Sequence, residues 1–347
     1  MTATHLERLL IVGLGSIGTR HARVARAVAP HVRIAAWRRS GSSNAPPAGV
    51  DCVVATLDEA LEFRPQLAVI ASPASRHLDT ALPLAVAGVH LLVEKPIASS
   101  VEGVDELIET CRAHGVALMT GYNLRFLPSL QRFRELVLEG RVGRVLSVRA
   151  EVGQFLPAWR PAADYRDTVS ASAALGGGVL LELSHEIDYL RWIFGEVEWV
   201  NATLLRQSAL EIDVEDTAHL VLAFATPAAG PAIVASLSMD FVRHDSTRSC
   251  TVIGEAGTLR WIGPTGTVDV FEAGANAWRE LASMPSARDD SYLSEWRHLL
   301  SCVETGASPS ITGEDGLAVL RVVEAARRSA STGARVPLDL PPSVRLG

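Results

Sequence analysis

Leu9-Leu10-Ile11-Val12-Gly13-Leu14-Gly15-Ser16-Ile17-Gly18 is the stretch that decides the fold: an apolar run passes straight into glycines at positions 13, 15 and 18. A run of this kind reads as a strand buried on both faces, as in a parallel sheet. The glycines then follow in the order a dinucleotide-binding turn requires. Gly13 permits the tight turn, Gly15 lets backbone approach a pyrophosphate, and Gly18 lets the next helix lie close to the strand. Ser16 and Ile17 open the segment SIGTRHARVARAV, in which Ile17, Val24 and Val28 recur at helical spacing. Such a helix presents its free N–H groups to the phosphates. A glycine turn that holds no ligand is the competing reading; a strand before and a helix after argue against it.

Composition bounds the rest. A chain of 347 residues with 48% hydrophobic residues has enough apolar material for two domains. The net charge of −7 argues against a general nucleic-acid role, and no apolar run reaches the length of a membrane span. Residues 1–8 lack the basic start and apolar core of a signal peptide. Cys52, Cys111, Cys250 and Cys302 are scattered with no CxxC pair, so neither disulfides nor a metal is expected, in keeping with a cytoplasmic protein.

Up to about residue 120, short apolar runs (32–37, 52–55, 67–70, 91–93, 116–119) alternate with helical patterns such as 101–114. This alternation predicts an α/β, doubly wound parallel sheet, a Rossmann domain over residues 1–122 with ligands at the C-terminal strand ends. Ser99-Ser100-Val101-Glu102 reads as a capping box, and Pro83 is expected to kink or restart the helix over 77–87. Beyond 121 the pattern predicts a helix over 127–138, a strand over 145–152 and a helix over 179–194 ended by Gly195. The runs 197–204, 218–224, 233–239, 250–253 and 267–271 have no helices between them, which predicts antiparallel pairing. A last helix is expected over 316–329. Residues 123–347 thus read as an α+β domain for substrate binding and oligomerisation, built on an open, mainly antiparallel sheet. A broad half-covered sheet predicts a homodimer or homotetramer.

Cofactor choice should be legible where the second strand ends, because NAD enzymes place an acid there for the ribose hydroxyls. The sequence at that point is Ala36-Trp37-Arg38-Arg39-Ser40, without an acid. Arg38, Arg39 and Ser40 suit a 2′-phosphate, pointing to NADP with NAD still open; two solvated surface arginines are the alternative.

As a whole the chain resembles the Gfo/Idh/MocA oxidoreductases, the family of glucose–fructose oxidoreductase and inositol dehydrogenase, over nearly its full length. Besides GLGSIG, three segments carry the resemblance. Ser72-Pro73-Ala74-Ser75-Arg76-His77 is similar to the loop beside the nicotinamide ribose, Glu94-Lys95-Pro96 to the EKP motif, and Gly176-Gly177-Gly178 with Glu182, His185 and Asp188 to the glycine-led helix. The resemblance implies that Ser72, His77, Glu94 and Lys95 lie at the cofactor, that Lys95 is catalytic, and that the Lys95–Pro96 bond is cis.

The residues support these roles independently. A lysine at the C-terminal tip of a parallel strand sits where ligands bind, and its ammonium suits polarising a substrate oxygen. Histidine titrates near neutrality, so His185 suits the proton that leaves with a hydride. On one helix Glu182 precedes His185 by a turn and Asp188 follows it by nearly one, so either carboxylate suits orienting the ring. Glu182 departs from the family, which has Asp one residue earlier. The loop Gly121-Tyr122-Asn123-Leu124-Arg125-Phe126-Leu127-Pro128, then Trp159-Arg160-Pro161 and Asp164-Tyr165-Arg166, carry the candidate substrate residues. Trp159 and Tyr165 suit stacking on a sugar ring, and Arg125, Arg160 and Arg166 suit a phosphate or carboxylate; the same residue types also favour subunit contacts.

The resemblance thus implies an NAD(P)-dependent oxidoreductase acting on a secondary alcohol or ketone of a sugar, polyol or sugar derivative, a small carbohydrate-like molecule. Two other readings stay open. One is a dinucleotide-binding sensor or regulator without turnover, and the other a redox-assisted lyase or glycosidase that recycles its cofactor.

Overall fold

The computed structural model describes residues 6–38, 46–161, 163–225 and 232–339; Arg39 and Ser40 of the cofactor expectation lie outside them. In chain order the elements are β1 (Arg8–Val12), α1 (Ser16–Val28), β2 (Arg33–Trp37), β3 (Cys52–Val54), α2 (Leu57–Glu62), β4 (Leu67–Ile70), α3 (His77–Val86), β5 (His90–Glu94), α4 (Val104–Ala113) and β6 (Leu118–Gly121). There follow α5 (Pro128–Leu138), β7 (Val145–Gly153), α6 (Leu156–Trp159), α7 (Val179–Glu182), α8 (His185–Phe194), β8 (Val197–Leu205), β9 (Thr217–Phe224) and β10 (Ile233–Asp240). The chain continues through β11 (Thr247–Gly254), β12 (Gly257–Ile262), β13 (Thr267–Glu272), β14 (Arg279–Ser283), α9 (Asp290–Thr305), α10 (Gly313–Thr332) and β15 (Val336–Pro337).

The chain forms two compact units, residues 1–123 with 289–320, and residues 124–288 with 321–347. This grouping differs from a single division after residue 122, because α9 packs on α1 and Met119 bridges to Thr312, tying 289–320 to the first unit.

The first unit holds a six-stranded sheet in the order β3-β2-β1-β4-β5-β6, every pair parallel. This is the doubly wound order, and it reverses between β1 and β4, where ligand crevices form. Leu9, Leu10 and Ile11, and all of β4, are fully buried, as a strand covered on both faces must be. Two local expectations are corrected. α3 runs through Pro83 without interruption; the carbonyl that loses its donor is that of Asp79, an exposed residue, so water can satisfy it. α4 starts only at Val104, behind Gly103 with φ 79°, and no side chain caps it. Ser100 instead hydrogen-bonds Glu102, which lowers the pKa of that carboxyl.

The second unit holds a nine-stranded sheet in the order β14-β13-β12-β11-β7-β10-β9-β8-β15. Every pair is antiparallel except β7 with β10. The exception follows from the route. After β7 the chain runs through α6, α7 and α8, then returns as the meander β8-β9-β10, which brings β10 alongside β7. The expected single helix over 179–194 is two, α7 and α8, parted at Leu183-Ser184. Gly195 ends α8 with φ 97°, a conformation that favours glycine. Among the described residues no helix is long and apolar enough to cross a membrane.

Candidate active site

In the first unit the glycine turn closes at the end of β1 against the end of β4. Gly13 has φ 91°, and a Cβ there would lie 2.7 Å from the Ala71 carbonyl oxygen. A Cβ on Gly18 would lie 1.9 Å from the Gly13 carbonyl oxygen, so α1 sits on the turn with no room for a side chain. At Gly15, by contrast, a Cβ would meet nothing within 4 Å. Gly15 precedes α1, whose start at Ser16 and Ile17 has no side-chain cap and no acid in its first turn. Backbone N–H groups at a helix N-terminus with open space before them are the geometry an anionic pyrophosphate needs, so these residues fit a dinucleotide. Arg38 follows β2 and donates its backbone N–H to the Val54 carbonyl at 3.0 Å.

The loop after β4 and the turn after β5 are tied together by His77. Its Nε2 lies 2.8 Å from the Ser72 carbonyl oxygen and its Nδ1 3.0 Å from that of Pro96. The ring is buried, and burial pushes its pKa down against the upward pull of those carbonyls. The Lys95–Pro96 bond is cis, and Lys95 is half-buried at the tip of β5.

Behind that turn lies a buried polar cluster. Glu94 accepts from His21 at 2.6 Å, and its other carboxylate oxygen accepts from the Lys95 backbone at 3.1 Å. Burial pushes the Glu94 pKa up, but the His21 hydrogen bond and the Lys95 charge outweigh it, so the carboxyl sits below its ordinary range. Glu295, on α9, is fully buried, and both its oxygens lack a hydrogen-bond partner among the described residues. Burial, and after it the Glu94 charge, pushes its pKa well up. The two acids are thus pushed in opposite directions, Glu94 down and Glu295 up. Tyr292 is pushed upward too, by burial first and then by the Glu94 charge, while Arg20 lies 4.9 Å over its ring.

In the second unit, Gly178 precedes α7 with φ 99°, and a Cβ there would sit 2.6 Å from a Glu215 carboxylate oxygen. That oxygen accepts the Leu180 backbone N–H at 3.1 Å, so Glu215 supplies the cap for α7. His185 opens α8 and is half-buried. Because the helix breaks before it, Glu182 belongs to α7 and not to the helix of His185. Glu182 accepts the Ser170 hydroxyl at 2.8 Å, and Asp188 is gripped by Arg125. Each acid expected to orient His185 thus holds another group.

The three arginines expected on an anion are not alike. Arg125 is buried in its pair with Asp188. Arg166 is exposed but pairs with both Asp164 and Glu211, and it holds the Asp164 pKa down at about 2. Arg160 is exposed. Tyr165 accepts the Glu211 backbone N–H through its hydroxyl at 3.2 Å. Trp159 donates to the Gln154 carbonyl at 3.1 Å and meets Phe241 edge-on at 5.2 Å.

His21, Trp296, Glu295 and Ser170 belong to no motif in the sequence and emerge only from the structure. A further signal is visible without any structure. Of the 32 lysines and arginines in the chain, Lys95 is the only lysine. In so arginine-biased a chain a single amine singles out its position, since an ammonium can give up its proton near neutral pH when its surroundings lower its pKa and a guanidinium stays charged.

Comparison with known proteins agrees with this architecture. The Gfo/Idh/MocA oxidoreductase family has an NAD-binding Rossmann-fold model that matches residues 8–122 and a C-terminal alpha/beta-domain model that matches residues 134–338. The chain is 28% identical over 343 residues to a myo-inositol 2-dehydrogenase of Thermotoga maritima, covering 96% of this chain and 98% of that protein. It is 27% identical over 278 residues to D-xylose 1-dehydrogenase (NADP(+)) 2 of Haloferax volcanii, covering 77% of this chain and 78% of that protein. A levoglucosan dehydrogenase solved with NADH and levoglucosan shares the fold, with a TM-score of 0.84 at 21% identity over 96% of this chain and 100% of that one.

Proposed function

The chain belongs to the Gfo/Idh/MocA family of oxidoreductases, and we propose that it is an NADP(H)-linked dehydrogenase or reductase of a secondary alcohol or ketone on a sugar, polyol or sugar derivative. As an NAD(P)-dependent oxidoreductase acting on CH–OH groups it keeps company with relatives named inositol 2-dehydrogenase and xylose dehydrogenase. The observation that carries the reading is the pairing, within one unit, of the open glycine turn at Gly15 with the chain's only lysine at the tip of β5.

A bound nicotinamide would exchange the hydride. Gly13, Gly15 and Gly18 hold the turn that cradles its pyrophosphate, and Ser72, His77 and Glu94 shape the two loops at the ends of β4 and β5. Lys95 polarises the substrate oxygen through its ammonium. His185 exchanges the hydroxyl proton, a role that contributes about 10²–10⁴-fold where the base is well placed. Glu182 and Asp188 belong to the same site, where they hold Ser170 and Arg125. Arg160, Trp159 and Tyr165 remain candidate sugar contacts. Arg38, with no acid beside it, favours the 2′-phosphate of NADP over NAD, a preference that the name of the xylose dehydrogenase relative supports.

The test is to add NADP⁺ or NAD⁺ to the purified protein with a panel of polyols, free sugars, sugar phosphates and nucleotide sugars, following nicotinamide absorbance. Cofactor reduction by at least one secondary alcohol is expected. If the protein binds cofactor and transforms a sugar with no net change in absorbance, the dehydrogenase assignment gives way to a recycled-cofactor reaction. Binding without any turnover would make the chain a sensor.

A further inference from the structure

Trp296, on α9, donates its indole N–H to Nδ1 of His21 on α1 at 2.9 Å. An indole only donates, so Nδ1 accepts and the ring proton sits on Nε2. Nε2 therefore donates to one oxygen of Glu94 at 2.6 Å, and the other oxygen of that carboxylate accepts the Lys95 backbone N–H at 3.1 Å. The row is dry: Trp296 and His21 are 0% exposed and Glu94 is 6% exposed. It starts on a helix late in the chain and ends on the amide of the one lysine. His77 grips the other side of the same turn through Pro96.

We propose that Trp296 and His21 are positioning residues for Lys95: they fix the ring tautomer and the carboxylate of Glu94 so that the turn carrying Lys95 is held in one conformation. A buried carboxylate that loses its donor must turn or take up a proton, and the first change breaks the bond to the Lys95 amide while the second weakens it. The inference rests on the assignment of Lys95 to the substrate oxygen only in its kinetic arm. The structural arm stands without it.

The composition of the chain supplies the probe. Protein grown with lysine carrying the heavy nitrogen isotope has a single labelled backbone amide, that of Lys95, so one cross-peak reports the bond without assignment. In the wild type this amide should exchange with solvent at least about tenfold more slowly than an unprotected amide. In His21→Ala and Trp296→Phe the peak should move and exchange should quicken. His21→Gln keeps a donor towards Glu94 and an acceptor for Trp296, and should restore both. On any alcohol that the wild type oxidises, His21→Ala should lower kcat by about 10²-fold, with KM and NADPH affinity within about twofold.

An unprotected Lys95 amide in the wild type overturns the proposal whatever the variants do. So does a folded His21→Ala or Trp296→Phe protein whose lysine peak is unmoved. A parallel fall in kcat, cofactor affinity and thermal stability that His21→Gln does not rescue would make the row a core contact only, and would also overturn it. Should no alcohol be turned over at all, the functional reading fails while the amide measurements still decide this one.

Discussion

Arg125 grips both carboxylate oxygens of Asp188, with Nε 2.9 Å from one and Nη2 2.6 Å from the other. Arg125 is 7% exposed and Asp188 0%. Both residues come from segments that the sequence assigns to the substrate, yet here they satisfy each other. A buried pair of this kind tolerates joint replacement by apolar residues far better than the loss of one partner, which strands a charge. Asp188→Ala should therefore cost about 3–5 kcal/mol of stability, measured by urea unfolding, and Arg125→Ala a similar amount. A loss near that of an exposed ion pair would show that the two charges are not held away from water.

The single lysine makes a sharper test of catalysis than its removal alone. Lys95→Arg keeps a positive charge but replaces the compact ammonium with a broad planar guanidinium that cannot take its place on the substrate oxygen, and Lys95→Met removes the charge altogether. Both should lower turnover by at least about 10²-fold, while NADPH titrations remain close to wild type. If Lys95→Arg retains most activity, a positive charge anywhere near that position is sufficient and the placement of the Lys95 ammonium on the substrate oxygen is wrong.

The first sheet was legible because its strands are short, apolar at their centres and punctuated by glycines. The cluster behind the Lys95 turn was not. His21 reads as an ordinary buried helix residue, and its partner Trp296 lies 275 residues further on, in a helix that the sequence reading did not separate from its polar surroundings. Among the strands not legible in the sequence is β14. β14 is short and largely polar, with Arg279 and Glu280 exposed, so no apolar alternation announces it. The break between α7 and α8 is the most consequential miss. Glu182 and His185 look like neighbours on one helix, and the turn at Leu183-Ser184 places them on two.

The lack of an acid after β2 predicts that NADPH binds more tightly than NADH. Replacing Arg38 and Arg39 together with alanine should weaken NADPH by about 2 kcal/mol, the scale of charge-assisted hydrogen bonds, and leave NADH nearly unchanged. Fluorescence titration in which wild-type NADH binds as tightly as NADPH ends the claim.

The outer face of the nine-stranded sheet displays Asn201, Thr203, Leu205, His219 and Val221, all exposed. An exposed sheet face of this kind offers a surface on which copies could pair, and a homodimer or homotetramer is expected through it. Sedimentation should give a species larger than a monomer at micromolar concentration, and Val221→Arg should shift it towards monomer. A wild-type monomer would discard this expectation.

Glu295 offers a pH test that needs no substrate. Its carboxyl is buried with no hydrogen-bond partner among the described residues, and burial followed by the Glu94 charge raises its pKa well above the ordinary 4.5. The sign follows from linkage. A carboxyl whose folded pKa exceeds its unfolded value favours folding fully below the unfolded value, and that advantage is lost as pH rises towards the folded one, because the unfolded chain sheds the proton first. Glutamine has the shape of the protonated acid and no proton to lose. Glu295→Gln should therefore melt above wild type at about pH 8, with the gap narrowing steadily and closing at about pH 4. The same substitution should leave the Lys95 amide signal in place, since Glu295 is not part of the row that ends there. A gap that stays constant across the pH range would mean that Glu295 is not held protonated, and that some group beside it stabilises its charge.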